Sequence, residues 1–118
     1  MSPAAVPVDR LRASSDITEV FAERRQRAGR FVVVHARDRG DDAAPRAAVV
    51  ASRRVGDAVR RNRAKRLLRE AVRQVSWVPG LDLVLVARAD CAAAQLAEVV
   101  ADLLSAAAHL ALNEAEPA

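Results

Sequence analysis

The spacing of apolar residues predicts one helix near each end of the chain. The first covers "SSDITEVFAERRQR", with Asp16 placed to cap it, Glu19 three positions later in the manner of a capping box, and Gly29 after its end. The other covers "CAAAQLAEVVADLLSAAAHLAL", where apolar residues recur at i, i+3 and i+4. Its positions expected to face the core are Leu96, Val99, Val100, Leu103, Leu104, Ala107 and Leu110.

Three short runs rich in β-branched residues predict strands. They are "RFVVVHAR" (30–37), "RAAVVAS" (46–52) and "LDLVLVAR" (81–88). A polar turn, 38–45, separates the first two runs, so a hairpin is the most economical pairing for them. Together with the helices, the strands predict an α+β fold in which three helices pack on a small sheet.

Between the second and third strands lies a helix with one apolar face and one cationic face. Gly56 and Asp57 break the preceding strand, and Asp57 is placed to cap a helix of roughly 58–75. At about 100° per residue, the apolar stripe and the cations fall on opposite sides. The apolar stripe consists of Ala64, Leu67, Leu68, Ala71, Val72 and Val75. The cationic face consists of Arg61, Lys65, Arg69 and Arg73, with Asn62 and Arg66 beside them.

The length of the chain fits one domain, 1–118, of which about 11–112 should be ordered and 1–10 and 113–118 flexible. No apolar run approaches the roughly 18 residues that a membrane span needs, and the N-terminus lacks a secretory pattern. The single cysteine, Cys91, cannot form an internal disulfide, and no zinc site can be built from it and two distant histidines. These features indicate a cytoplasmic protein that binds no metal and no membrane.

The net charge of +4 is unevenly distributed along the chain. Nine cations and two acids lie between Arg53 and Arg73, so this segment carries +7 and the remainder carries −3. A solvated helix face usually alternates acids with cations, because pairs at i, i+4 then offset the charge. Here cation follows cation along four turns, which favours a surface that binds a polyanion such as nucleic acid.

The segment "SRRVGDAVRRNRAKRLLREAVR" resembles the signature of the bacterial ribonuclease P protein family, V-G-x-A-V-x-R-N-R-x-K-R-x-x-R-E. The flanking segments "LRASSDITEVF", "RFVVV" and "LDLVLVAR" are similar to that family too, so the resemblance runs from about Leu11 to Leu112. All eleven fixed positions of the signature are filled, by Val55, Gly56, Ala58, Val59, Arg61, Asn62, Arg63, Lys65, Arg66, Arg69 and Glu70.

The resemblance implies a fold and a function. The fold is a two-layer α+β sandwich with a mixed sheet and a left-handed βαβ crossover that carries the basic helix. The function is that of the protein subunit of ribonuclease P, whose catalytic RNA removes the 5′ leader of precursor tRNA with Mg²⁺ held by the RNA. The implied partners are the ribonuclease P RNA and precursor tRNA. No catalytic side chain, bound cofactor, DNA partner or obligate protein partner is implied for this subunit.

The resemblance also implies two sets of binding residues. The RNA subunit would be bound by Arg53, Arg54, Arg61, Asn62, Arg63, Lys65, Arg66, Arg69 and Arg73. The leader would lie in a cleft formed by Ile17, Phe21, Phe31, Val34, Val50, Ser52 and Arg88. Ile17 replaces a Phe and Val34 a Tyr that are common in the family, so the cleft has fewer rings and is expected to hold the leader less strongly.

Other interpretations of the basic helix stay open. A ribosomal-type RNA-binding protein would share the helix and the sheet but would not affect tRNA processing. A helix-turn-helix DNA-binding protein needs another helix just before the basic one, where "RAAVVASRRVG" predicts strand and turn. A protein nuclease needs clustered carboxylates for metal, and Glu70 alone does not suffice. We interpret His35 and His109 as structural or surface residues, and Trp77 as a residue that packs its loop.

Overall fold

The computed structural model of the protein describes residues 7–112 and shows a mixed sheet with three helices. The strands are β1 (Asp9–Arg10), β2 (Gln26–Ala28), β3 (Val32–Asp38), β4 (Arg46–Val50) and β5 (Leu81–Ala87). The helices are α1 (Ser14–Ala22), α2 (Ala58–Val72) and α3 (Leu96–Leu110), and a 3₁₀ turn (Cys91–Ala93) precedes α3. The predicted α+β class is therefore confirmed.

The order of the strands differs from the predicted hairpin. The sheet runs β1-β4-β5-β3-β2, so β5 lies between β3 and β4 and pairs antiparallel with β3 and parallel with β4. The reason lies in β5, which is apolar at nearly every position and is buried from Leu81 to Leu85, as expected of a central strand covered on both faces. The connection β4-α2-β5 is the βαβ crossover that the family resemblance implies.

Helices cover the two faces of the sheet unequally. Helices α2 and α3 pack on one face, and Val32, Val34 and Ala36 of β3 point into the large core on that side. Trp77 is fully buried there, and its Nε1–H donates to the carbonyl oxygen of Val72 at 2.9 Å, which confirms its structural role. Helix α1 alone packs on the other face, over a small cluster around Val20.

The N-terminal helix ends earlier than predicted, and it begins before the residue that was expected to cap it. Ala13 precedes its first turn, so Asp16 lies within the helix and does not cap it. The helix ends at Ala22 because Arg24 adopts a left-handed conformation with φ 55°. Residues 26–28 then form the edge strand β2, and Gln26 pairs with His35. The pairing with β3 thus overrides the helical preference of "ERRQR".

The segment 7–10 is ordered, in contrast to the flexible arm predicted for 1–10. Asp9 and Arg10 pair in parallel with β4, and the N–H of Leu11 donates to the carbonyl oxygen of Ala47 at 3.0 Å. The remaining residues that were expected to be flexible, 1–6 and 113–118, lie outside the described part of the chain.

The last helix begins later than its apolar pattern predicts. The chain forms the 3₁₀ turn at Cys91–Ala93 and then starts α3 at Leu96, where Gln95 and Glu98 form a capping box. Val99, Leu103 and Ala107 are buried as predicted. Leu104 was wrongly placed in the core, since it is 44% exposed.

Candidate nucleic-acid interface

The outer face of α2 is a cationic surface. Asp57 caps the helix as predicted, and its Oδ1 accepts the N–H of Arg60 at 2.9 Å. Among residues 7–112, no cation of α2 forms an ion pair with a carboxylate. Within the described fold these cations have no directly paired acid, and Glu70 is the acid that lies among them. The exposed side chains that line a shallow depression on this surface are Asn62, Arg66, Arg69, Glu70 and Arg73.

The other predicted RNA-subunit residues lie around this surface. Arg61 and Lys65 are half-buried, at the side of the helix. Arg63 is exposed, and its Nε–H donates to the carbonyl oxygen of Ala92 at 2.7 Å, which directs its guanidinium towards the 3₁₀ turn. Arg53 and Arg54 are exposed in the turn between β4 and α2. The nine predicted residues therefore span α2 and the turn before it, without all lying on one stripe.

The face of the sheet that α1 covers only in part is the second candidate surface. Phe21 of α1 is 41% exposed and contacts His35 of β3 edge to face, with 4.7 Å between the ring centroids and 72° between the rings. Ile17 is half-buried beside the small core cluster, and Val50 at the end of β4 is exposed. Arg37 is held by Glu19, with Nη1 and Oε2 2.7 Å apart. We call this surface the open face.

Two predicted cleft residues do not lie on the open face. Val34 and Phe31 are buried in the core beneath α2 and α3. His35, which the sequence analysis treated as structural, takes the place on the open face that was assigned to Val34. A shift of one residue along a strand moves a side chain to the opposite face. The alternation in "VVVHARD" could have revealed this, because its apolar members Val32, Val34 and Ala36 share one side.

A groove at the end of the sheet brings together residues from three separate segments. It encloses about 700 Å³ and contains Ser52 and Arg88, which were predicted for the leader cleft. It also contains Arg54, which was predicted for the RNA subunit, and Arg30, which was not predicted for either surface. The Arg88 side chain is fixed, since its Nη1–H donates to the carbonyl oxygen of Gly29 at 3.0 Å. Asp90 is the acid at its rim. We call this the arginine groove.

Comparison with known proteins shows the family of the chain. A family model described as Ribonuclease P matches residues 7–111, nearly the whole chain. The chain belongs to the ribonuclease P protein family. A ribonuclease P protein component from Brevibacillus brevis is 39% identical over 97 residues, which cover 80% of this chain and 77% of that protein.

Solved ribonuclease P protein structures share the fold. An RNase P protein from Thermotoga maritima has a TM-score of 0.69 and 31% identity, and the match covers 82% of this chain and 93% of that chain. An RNase P protein from Staphylococcus aureus has a TM-score of 0.75 over 92% of this chain and all of that chain. At 21% identity, the second match concerns the fold alone.

An arginine-carboxylate cluster lies at the other end of the sheet, where β5 begins. Asp82 of β5 is fully buried and accepts from Arg46 at 2.8 and 2.7 Å and from Arg39 at 2.6 Å. Burial alone would raise the pKa of Asp82, but the hydrogen bonds from both guanidinium groups outweigh it and lower the pKa. The cluster ties the loop after β3 to the central strand. No local sequence pattern predicts this cluster, because its members are distant along the chain.

Burial also shifts the pKa of His35 and of Cys91. Burial lowers the pKa of His35, which favours its neutral ring. Cys91 is buried, and its burial raises the pKa of the thiol to about 11. Within residues 7–112, no group of three or more His, Cys, Asp or Glu side chains is placed to hold a metal ion. In the same part of the chain, no helix is long and apolar enough to cross a membrane.

Proposed function

We propose that this ribonuclease P protein acts as the protein subunit of a holoenzyme that removes the 5′ leader from precursor tRNA. The observation that carries the proposal is the uncompensated cationic surface of α2, built on a family signature that is complete in this chain. The subunit supplies binding surfaces, and the RNA subunit with its Mg²⁺ supplies the chemistry of cleavage.

Helix α2 docks on the RNA subunit. Arg66, Arg69 and Arg73 are exposed along one side of the helix, at the spacing of successive turns. Arginine suits this role because its planar guanidinium makes paired hydrogen bonds with phosphate oxygens. Each phosphate that an arginine neutralises releases counterions, so the complex should weaken steeply with salt.

The open face and the arginine groove hold the single-stranded leader. Phe21 and His35 offer aromatic surface for stacking a base, which is worth about 1–3 kcal/mol per base and depends little on sequence. Arg30, Arg54 and Arg88 in the groove offer contacts to the phosphates of the same strand. This combination of rings and cations suits a leader whose sequence differs from one tRNA to another.

Removal of two cations from α2 tests the docking. The double variant R66A/R73A should bind the cognate ribonuclease P RNA more weakly. The slope of log K against log salt should become shallower by about 1 to 2, because two phosphate contacts are lost. Both side chains are exposed, so the circular dichroism spectrum should not change. Fluorescence anisotropy at several salt concentrations measures both quantities.

The matched control is R24A/R27A, which removes two exposed arginines from the region of the edge strand β2. It should leave the affinity and the salt slope close to those of the wild type, since β2 and α2 lie towards opposite edges of the fold. Equal effects of the two double variants would mean that α2 is not the docking surface.

A further inference from the structure

The carboxylate of Asp102 in α3 binds three consecutive backbone N–H groups. Its Oδ1 accepts from Arg30 at 3.0 Å, and its Oδ2 accepts from Phe31 at 2.9 Å and Val32 at 3.1 Å. Backbone N–H groups that converge in this way prefer a negatively charged partner. Asp102 therefore fixes the turn between β2 and β3, residues 29–32, to α3.

The turn and the carboxylate fit together closely at Gly29. A Cβ atom at this position would lie 2.2 Å from Oδ1 and 2.4 Å from Oδ2 of Asp102. The φ of Gly29 is not in the left-handed region, so backbone conformation does not explain a glycine here. Glycine is needed because a side chain would not fit beside Asp102. Any larger residue would push the carboxylate away from the N–H groups that it binds.

The same turn holds the arginines of the groove. The carbonyl oxygen of Phe31 accepts the backbone N–H of Arg88 at 2.8 Å, and that of Gly29 accepts Nη1–H of Arg88 at 3.0 Å. The guanidinium of Arg30 lies 5.0 Å from the centroid of the Phe31 ring. Asp102 itself does not line the groove.

We propose that Asp102 is a positioning residue for the arginine groove, where it holds the 29–32 turn so that Arg30 and Arg88 meet the phosphates of single-stranded RNA. This inference deepens the proposed function and rests on it for the identity of the RNA as a tRNA leader. The hydrogen bonds between Asp102 and the turn support its positioning role whether or not the bound RNA is a tRNA leader.

The direction in which RNA affinity changes when Asp102 is replaced distinguishes a positioning role from long-range electrostatics. Removing an acid raises the positive charge of a protein, which by long-range attraction alone strengthens its binding to RNA. Loss of a positioning contact has the opposite effect, because the arginines then lose their fixed geometry. D102N is suited to this test, since it removes the charge and nearly preserves the shape of the side chain.

The experiment measures binding of a short single-stranded RNA with a tRNA leader sequence to the full-length protein, by fluorescence anisotropy. D102N should weaken binding by about five- to tenfold. G29A should do the same without a change of charge, because the added methyl group displaces the carboxylate. The matched control D42N removes an exposed acid from the loop after β3 and should not weaken binding.

A double-mutant cycle then tests whether Asp102 affects RNA binding through Arg30 and Arg88. In an R30A/R88A background, D102N should cause little further loss, because the residues through which it acts are absent. Circular dichroism establishes whether each variant is folded. If D102N does not fold, the result with G29A decides whether Asp102 positions the groove. Folded variants that bind as tightly as the wild type, or a wild type that does not bind the RNA, would overturn the inference.

Failure of the proposed function has a different signature. If the wild-type protein does not stimulate cleavage by the ribonuclease P RNA, while D102N and G29A still weaken binding of single-stranded RNA, the holoenzyme role is wrong and the positioning role stands.

Discussion

His35 shows how one residue changes the chemistry of the open face. Its ring contacts Phe21 on a surface where the family resemblance led us to expect Val34. Because burial lowers the pKa of His35, the ring is neutral at physiological pH and can stack as an uncharged aromatic group. The open face thus has two rings, because His35 takes the place of Phe31, the second ring inferred from the sequence, which is buried in the core.

The lowered pKa of His35 predicts an acid-sensitive contribution to stability. The unfolded chain binds a proton at about the ordinary pKa of 6.5, while the folded protein binds it at lower pH. The contribution is therefore present above pH 6.5 and is lost as the pH falls below that value. Urea unfolding at several pH values should show that H35Q flattens this loss. Equal pH profiles for the wild type and H35Q would contradict the prediction.

The buried carboxylate of Asp82 predicts a large effect of a small substitution. D82N removes the charge that Arg39 and Arg46 share and should lower the free energy of unfolding by about 3 kcal/mol. Because the pKa of Asp82 is lowered, its contribution to stability is present at a pH above the ordinary pKa of 3.8. This contribution is lost as the pH falls below that value. Chemical denaturation measures the loss. A change as small as that of D42N, an exposed control, would show that the cluster is not stabilising.

At the scale of elements, sequence patterns located the helices and long strands but not the short strands. The two faces of α2 could be predicted because both repeat along one continuous segment, and Asp57 marks its start. Strands β1 and β2 have two and three residues, and they exist because neighbouring strands offer them backbone partners. Such partners are distant in sequence, so local patterns could not reveal them.

The end of α1 predicts a stabilising substitution. Arg24 has φ 55°, which is costly for a residue with a Cβ atom and natural for glycine. R24G should raise the free energy of unfolding by about 0.5–1 kcal/mol, after the greater entropy of glycine in the unfolded chain is subtracted. Thermal unfolding measures it. The control E23G changes the adjacent residue, whose φ of −66° is ordinary, and should destabilise; a loss of stability in R24G would contradict the account.

At the scale of the molecule, the two candidate surfaces differ in how far the sequence could predict them. The cations of α2 come from one helix, so their clustering follows from spacing alone. The arginine groove combines Arg30, Arg54 and Arg88 from three segments, and the strand order that joins them depends on contacts across the whole chain. The family resemblance supplied Arg88 for the leader and assigned Arg54 to the RNA subunit, whereas Arg30 and its support by Asp102 required the structure.

The arrangement gives the molecule two candidate RNA-binding surfaces on one sheet. Helix α2 lies on the side of β4 and β5 that α3 shares, while Phe21 and His35 lie on the opposite side of the sheet. Under the proposed function, the protein would hold the RNA subunit and a single strand at the same time. Its cations would then screen the repulsion between the two RNAs and lower the Mg²⁺ concentration that they require.

Cleavage of a precursor tRNA by the cognate ribonuclease P RNA at low Mg²⁺, with and without the protein, tests the central claim most directly. The account predicts that the 5′ leader is removed only when RNA and protein are both present, and that R66A/R73A lowers this stimulation. Tight binding of the RNA without any stimulation of cleavage would contradict the account and favour a ribosomal-type RNA-binding protein.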